Sequence, residues 1–392
     1  MSFLPRLLAS ELARAARSFP ALILTGPRRA GKTTLLRRQF PRAAYFLMED
    51  PDIVARVRSD PRAFLDGIRP PAILDEIQNV PEILNYVRTR IDAAPRRKGQ
   101  WILTGSHEAP LMKGVTESMA GRAAVLQLLP LSTLESKKVS LLRGGYPEPL
   151  AQPRAAALWF RSYVQTYLER DVRAVAAIRD LATFRRFVSL LASRCGQILN
   201  KTDLAAPLGV SVPTLTQWLS ILEVTGQIIL VPPFFENFGK RIIKSPKCYF
   251  VDSGLACHLL GIESEKALSH SPFLGALFEG FVASEIAKRQ IGTGRAREIY
   301  YFRDQQGLEV DLIVPSGHRA LTLIEAKASS TATPAMARSM TRLAQSIRGF
   351  RVERFVVHRP SRAIRHISAL GPGVRAVDLE ELLAQLPGSR GH

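Results

Sequence analysis

The 392-residue chain is poor in cysteine, short of acidic residues relative to basic ones, and without any long apolar run. Its 3 cysteines, Cys195, Cys248 and Cys257, lack CxxC spacing, and an odd count makes a poor disulfide framework. Reduced thiols in a cytoplasmic protein are therefore expected. No run of about 18 uncharged apolar residues occurs, so no membrane-spanning helix is expected. The opening MSFLPRLLASELARAARSFP does not read as a secretory signal. Arg6, Glu11, Arg14 and Arg17 interrupt its apolar stretches, and no small-residue cleavage site follows. It reads as an amphipathic helix. The 34 Asp+Glu stand against 54 Lys+Arg, a formal net charge of +20. The excess is mostly arginine spread along the chain. A sequence pI near 10.5 points to a polyanionic partner, nucleic acid before an anionic membrane. GC-rich coding sequence would also favour arginine. The basic residues are not gathered on one long amphipathic helix, which argues against membrane binding. An apolar fraction of 46% excludes a largely disordered chain.

What is present divides into segments. Residues 1–135 alternate apolar runs (ALILTG, AAYFLM, PAILDE, QWILTG) with helical patterns, which is the βαβ signature of a parallel sheet. Residues 136–178 read as a helical lid or linker that begins at the turn RGGYPEP. Residues 179–262 read as a winged helix-turn-helix. Residues 263–392 read as an α/β domain with the strand-like runs IYYFRD, LEVDLIVP, LTLIEAKA and VERFVVH.

The first segment carries the sharpest signal. Gly26-Pro27-Arg28-Arg29-Ala30-Gly31-Lys32-Thr33 matches GxxxxGK[ST], with an apolar strand before it and a helix-forming run from Thr34 onward. The glycines let backbone N–H groups face an anion, and the helix starting near Lys32 aims its positive end at the same place. Lys32 is assigned to the β- and γ-phosphates of ATP and Thr33 to Mg²⁺. The strand PAILDE ends in Asp75, expected to hold the Mg²⁺ water shell. Glu76 follows it, placed to orient or deprotonate the attacking water. After the strand WILTGS, Ser106 is the expected γ-phosphate sensor, with Thr104 as the fallback. Arg122, in MAGR, is a candidate to neutralise transition-state charge in a neighbouring subunit. Arg28 and Arg29, within the loop, would touch phosphate or DNA.

These motifs together resemble a bacterial and archaeal group of AAA-type ATPases, whose P-loop core precedes a conserved C-terminal domain long described as of unknown function. The resemblance extends from LTGPRRAGKTTLLRR to IEAKAS and includes LDEIQ, LTGS, MAGR, LLPLS, GGYPEP, YLERDV, VDSGL and EVDLIV. It implies that Pro147, in a GxP turn, packs near the nucleotide base. His107-Glu108 depart from the small polar residues that follow the LTGS serine in relatives.

Downstream, NKTDLAAPLG and VSVPTLTQWLSILEVTG read as two helices around Gly209, with Ser211 as cap and Pro213 in the first turn. The second would expose Ser211, Thr214, Thr216 and Gln217 to DNA, while Lys240, Arg241, Lys244 and Lys247 in the wing would contact phosphates. In the last segment, a helix offers Glu279 and Glu285. The strand LEVDLIV offers Asp311, and LIEAK places Glu325 and Lys327 on one strand face. This resembles the restriction-endonuclease-like core, D…ExK with a preceding helix glutamate. It implies a Mg²⁺ site at Glu279, Asp311 and Glu325, with Lys327 activating water rather than ligating. Gly307 and Glu309 suggest a turn and an outward acid.

The combined expectation is an α/β protein: a P-loop AAA-type ATPase core, a helical and winged-helix middle, and a restriction-endonuclease-like C-terminal domain. It would be an ATP- and Mg²⁺-dependent, DNA-acting homo-oligomer, ring-like or head-to-tail if Arg122 acts in trans. A nucleotide-dependent regulatory switch and an ATP-gated nuclease are the alternatives.

Overall fold

A computed structural model describes residues 4–105, 119–168, 180–234, 245–359 and 369–387. The apolar runs of the first segment form a parallel sheet of β1 (Ala21–Thr25), β2 (Ala44–Leu47), β3 (Ala72–Asp75), β4 (Trp101–Thr104) and β5 (Ala123–Gln127), in the order β2-β3-β4-β1-β5. Strand alternation sends Leu22, Leu24, Ile73 and Ile102 to one face, where they meet α1 (Ala9–Ser18) and α2 (Lys32–Gln39). Ile23, Leu74 and Leu103 go to the other, against α3 (Pro51–Ser59), α4 (Pro61–Asp66) and α5 (Ile83–Ala93). Helices on both faces explain why these strands are apolar throughout. Asp50 and Asp60 cap α3 and α4, each with proline at the first helical position. The fifth strand, β5, lies beyond the four expected from sequence; it is a half-exposed edge strand paired to β1 alone.

The chain then runs through α6 (Pro147–Ala151), α7 (Ala156–Tyr163) and α8 (Leu181–Ser193). A helix-turn-helix follows: α9 (Lys201–Ala205), a turn with Gly209 at φ 66°, and α10 (Val212–Val224), capped by Ser211. Strands β6 (Ile228–Val231) and β7 (Lys247–Phe250) pair antiparallel. Lys240, Arg241 and Lys244 lie outside the described residues. Lys247 does not fit the expected role on an open wing: it begins β7 and is 1% exposed. Helices α11 (Ser253–Leu259) and α12 (Glu265–Ser269) lead to the 19-residue α13 (Leu274–Gly292).

The C-terminal sheet has the order β12-β13-β11-β10-β9-β8. Its strands are β8 (Tyr300–Arg303), β9 (Glu309–Gly317), β10 (Ala320–Lys327), β11 (Arg351–His358), β12 (Ala369–Gly371) and β13 (Val374–Val377), with α14 (Arg338–Ser346) and α15 (Leu379–Gln385). The hairpin expected between the acid-bearing strands is present: β9 and β10 are antiparallel, with Leu312 opposite Ile324. One apolar core joins the middle helices to this sheet through Phe184, Trp218, Tyr249, Phe281, Leu312 and Phe355. Among the described residues no helix is long and apolar enough to cross a membrane.

Candidate active site

The crevice lies at the carboxyl end of the parallel sheet, where β1 gives way to α2. Gly26 has φ 133° and Gly31 φ 98°, and a Cβ on Gly26 would overlap the Leu128 carbonyl. Arg29 also takes a left-handed conformation, φ 62°. The loop therefore closes over itself in a shape that needs glycine at both ends. Lys32 Nζ donates to the Gly26 and Pro27 carbonyls at 2.9 and 3.1 Å, which holds the ammonium inside the cradle.

Asp75 is the centre of the polar cluster. Its Oδ2 accepts from Thr33 Oγ1 at 2.7 Å and from the Tyr45 hydroxyl at 2.8 Å. Its Oδ1 accepts from Thr104 Oγ1, and Thr104 Oγ1 in turn accepts from the Glu76 amide at 3.1 Å. Burial and the Asp75 carboxylate push the Tyr45 phenol well above its ordinary range, so it stays a donor. Glu76 has φ 60°, and its carboxylate accepts from Gln78. Arg28 is 8% exposed and reaches Glu49 at 3.5 Å and Glu76 at 4.0 Å. Arg28 thus lines the crevice.

These residues border a cavity of about 550 Å³, completed by Leu4, Arg6, Leu131, Pro147 and Glu148. Pro147, expected from the GxP resemblance near the nucleotide base, lines this cavity. Arg29 bridges the cleft mouth to Glu148 at 3.4 Å. The other carboxylate oxygen of Glu148 is buried and has no hydrogen-bond partner among the described residues. The Gly26 cradle, the Lys32 ammonium and the Thr33–Asp75 pair fit a nucleoside triphosphate and its Mg²⁺, with Thr33 and Asp75 as the residues that would hold the ion.

Ser106, His107 and Glu108 lie outside the described residues. Thr104, the fallback sensor, is fully buried beneath Asp75. Arg122 precedes β5 and so sits at the amino end of the sheet, opposite its own P-loop; it is paired with Asp92 at 2.6 Å.

Sequence reasoning missed what holds this crevice to the rest of the chain. The LLPLS string, Leu128 to Ser132, runs between motifs. Leu128 crosses Gly26, and the Leu129 carbonyl accepts from Arg6 at 2.6 Å. The Leu131 amide donates to Gly145 at 2.8 Å, and the Leu131 carbonyl accepts from Lys288 at 3.2 Å. Arg6 also donates to Ala30 of the P-loop at 2.8 Å and pairs with Glu135 at 3.0 Å. Asp252, from VDSGL, accepts from the Gly145 amide at 2.6 Å and from the Leu255 amide at 2.9 Å. The strings were visible; their mutual contact, across more than a hundred residues, was not.

The C-terminal acids assemble only in part as expected. Asp311 accepts from the Ala326 amide at 2.9 Å, Lys327 stands 2.7 Å from Glu325 and 3.9 Å from Asp311, and Glu279 faces them from α13. Glu285 belongs elsewhere: fully buried, it accepts from the Thr133 amide and hydroxyl at 2.6 and 2.7 Å and pairs with Lys288 at 2.9 Å. Glu309 is not an outward acid but lies 2.7 Å from Lys247, which also meets Glu279 at 2.8 Å. Among the described residues no group of three or more His, Cys, Asp or Glu side chains is arranged to hold a metal ion. Lys247 and Lys327 pair with the acids of the expected Mg²⁺ site at Glu279, Asp311 and Glu325.

Comparison with known proteins follows the same division. A family described as "AAA domain" matches residues 18–137, and two described as domains of unknown function, DUF8612 and DUF4143, match residues 135–266 and 274–381. Rv2008c of Mycobacterium tuberculosis and Mb2031c of Mycobacterium bovis, both named only as uncharacterized proteins, are each 34% identical over 342 residues, 85% of this chain and 75% of theirs. The chain belongs to this family of AAA-domain P-loop ATPases with a C-terminal DUF4143 domain. Among solved structures, the Walker-type ATPase paby2304 of Pyrococcus abyssi is similar at 17% identity and TM-score 0.43, covering 64% of this chain and 94% of that one. A point variant of RuvB from Thermotoga maritima is similar at 15% identity and TM-score 0.30, covering 57% of this chain and 89% of that one. As a member of the AAA-domain family the protein is a nucleotide-dependent ATPase.

Proposed function

We propose that the protein is a Mg²⁺-dependent ATPase that works on DNA as a homo-oligomer, coupling ATP turnover to movement along DNA or its remodelling. The observation that carries the ATPase half is the closed polar cluster Lys32–Thr33–Asp75–Thr104–Glu76 beneath a glycine cradle. On substrate binding, Lys32 exchanges the Gly26 and Pro27 carbonyls for phosphate oxygens, and the amide groups at the start of α2 face the same charge. Asp75 and Thr33 would hold Mg²⁺, which when bound neutralises charge on the phosphates. Glu76 orients the attacking water. Arg28, buried beside Glu76, supplies positive charge from within the same chain where negative charge develops on the transferring phosphoryl group.

DNA as the partner is supported by the net charge of +20 and by the helix-turn-helix. Ser211, the cap of α10, and Gln217 are exposed, and Thr214 and Thr216 are half-exposed. Read this way, α8 to β7 form a winged helix. A regulatory switch is the second reading, favoured by the contacts that tie the P-loop through Arg6 and Leu131 to α13. ATP turnover measured with and without duplex and branched DNA tests the proposal. The wild type should be stimulated several-fold by at least one form. Lys32→Ala and Glu76→Gln should each lose about 100-fold or more in kcat. Turnover indifferent to every DNA form would leave the switch as the better reading.

A further inference from the structure

The C-terminal domain has the hairpin acids and lysine of a metal-dependent nuclease, yet each carboxylate there already has a cation or donor from the chain. Glu279 takes Lys247 at 2.8 Å and the Tyr249 hydroxyl. Glu309 takes Lys247 at 2.7 Å and Arg303 at 3.2 Å. Asp311 takes the Ala326 amide, and Glu325 takes Lys327 at 2.7 Å. Lys247 is the innermost of these cations, with a side chain 2% exposed and its ammonium 5.5 Å from the centre of the Tyr301 ring. We propose that Lys247 is a built-in cation that occupies the place of the divalent metal, so that this domain is a metal-free structural module without phosphodiesterase activity.

The lysine has nowhere else to go. Its backbone is held on two sides: Val231 stands opposite it in the β6–β7 ladder and Ile198 bridges to it. A Mg²⁺ ion needs carboxylate oxygens at about 2.0–2.1 Å. An ammonium among those oxygens repels the ion. Moving it out would strand a buried charge, which costs several kcal/mol. Glu325 Oε2 is buried and has no hydrogen-bond partner among the described residues.

Mn²⁺ titration of the full-length, nucleotide-free chain, followed by electron paramagnetic resonance, tests this alongside incubation of plasmid with Mg²⁺ or Mn²⁺. Wild type should show no saturable Mn²⁺ site that Asp311→Asn removes, and no strand cleavage. Lys247→Met, which leaves the carboxylates uncompensated, should bind Mn²⁺ at least about tenfold more tightly than wild type. Mn²⁺ bound by wild type and lost in Asp311→Asn would overturn the proposal. So would plasmid nicking lost in Asp311→Asn but kept in Lys32→Ala. The wild-type titration decides alone should Lys247→Met fail to fold, and none of these readouts depends on ATP turnover or its stimulation by DNA.

Discussion

The Thr104 hydroxyl does two jobs at once, donating to Asp75 and accepting from the Glu76 amide. It therefore sets the spacing between the residue that would hold Mg²⁺ and the one that orients water. Replacing it with the isosteric valine leaves a buried carboxylate oxygen and a buried amide each short of a partner, a loss of about 1–3 kcal/mol. In steady-state ATPase assays Thr104→Val should lower kcat about tenfold or more with little change in KM, because about 1.4 kcal/mol in the barrier is tenfold. Thr104→Ser should restore most of it. Equal losses in the valine and serine variants would mean that the hydroxyl does not position these acids. The buried Glu148 oxygen that has no hydrogen-bond partner among the described residues belongs to a side chain lining the same cavity, and on the proposed ATPase reading it would accept a hydrogen from the bound nucleotide. Glu148→Ala should raise KM for ATP by about fivefold or more and leave kcat near wild type, by the loss of one hydrogen bond to a charged group. Glu279 makes a residue-scale prediction about pH. Burial and the Asp311 carboxylate push it up to about 7 against the opposing pull of Lys247 and the Tyr249 hydroxyl, with the buried Cys195 thiol also nearby. A carboxyl whose folded pKa is raised binds more protons in the native state, so its contribution is greatest below its unfolded pKa of about 4.5 and fades as pH rises through about 7. Melting temperature in metal-free buffer should thus fall between about pH 5 and 8, and Glu279→Gln should flatten that slope. An unchanged slope in the variant would remove Glu279 as its source.

The turn Gly144–Pro147 and the helix α11 act as one element. Asp252 caps α11 through the Leu255 amide and holds the Gly145 amide with its other oxygen; a Cβ on Gly145 would overlap the Leu131 carbonyl. Asp252→Ala removes a cap and strands a buried amide, so chemical denaturation should report a loss of about 2–3 kcal/mol. Because Pro147 and Glu148 follow directly, KM for ATP should rise as well; a stability loss with KM unchanged would uncouple the turn from the nucleotide. This pairing also shows how far the sequence could be read. Strands β1, β3 and β4 stand out because burial on both faces leaves an unbroken apolar run, and the P-loop because its backbone shape demands glycine at Gly26 and Gly31. The β9–β10 hairpin was legible too, since a two-residue period fixes which face Glu325 and Lys327 share. The edge strand β5 was not singled out although Ala123 to Leu126 are apolar, and in the fold Val125 is 45% exposed. Lys247 was misread because in sequence it follows a basic stretch. Its burial is decided by Glu279 and Glu309, 32 and 62 positions away, and no local pattern carries that information. Glu285 was misplaced for the same reason: spacing put it on the right helix, but only the fold says that it faces Thr133 and not the acidic strands.

At the scale of the whole molecule the position of Arg122 is the open lever. In a parallel sheet the residue before an edge strand lies at the end opposite the P-loop, so Arg122 does not reach its own nucleotide. Its partner Asp92 is exposed, and an ion pair between exposed groups contributes little to folding. If copies assemble head to tail, as a heterologous interface requires, the amino end of one sheet meets the carboxyl end of the next, and Arg122 enters its neighbour's cleft. Arg28 already supplies a positive charge in cis, so the isolated chain should retain slow turnover, and assembly should add to it. ATPase activity per chain should therefore rise with protein concentration, and Arg122→Ala should abolish the rise while sparing the dilute rate. Mixing separates the two roles. Lys32→Ala has a dead cradle and an intact Arg122, whereas Arg122→Ala has the reverse. Combined, they form mixed interfaces in which an intact cradle faces an intact arginine, and activity should exceed the sum of the two alone. Activity that only adds, at concentrations where light scattering shows assemblies, would place Arg122 on the surface and leave the charge at the phosphates to arginines of the same chain.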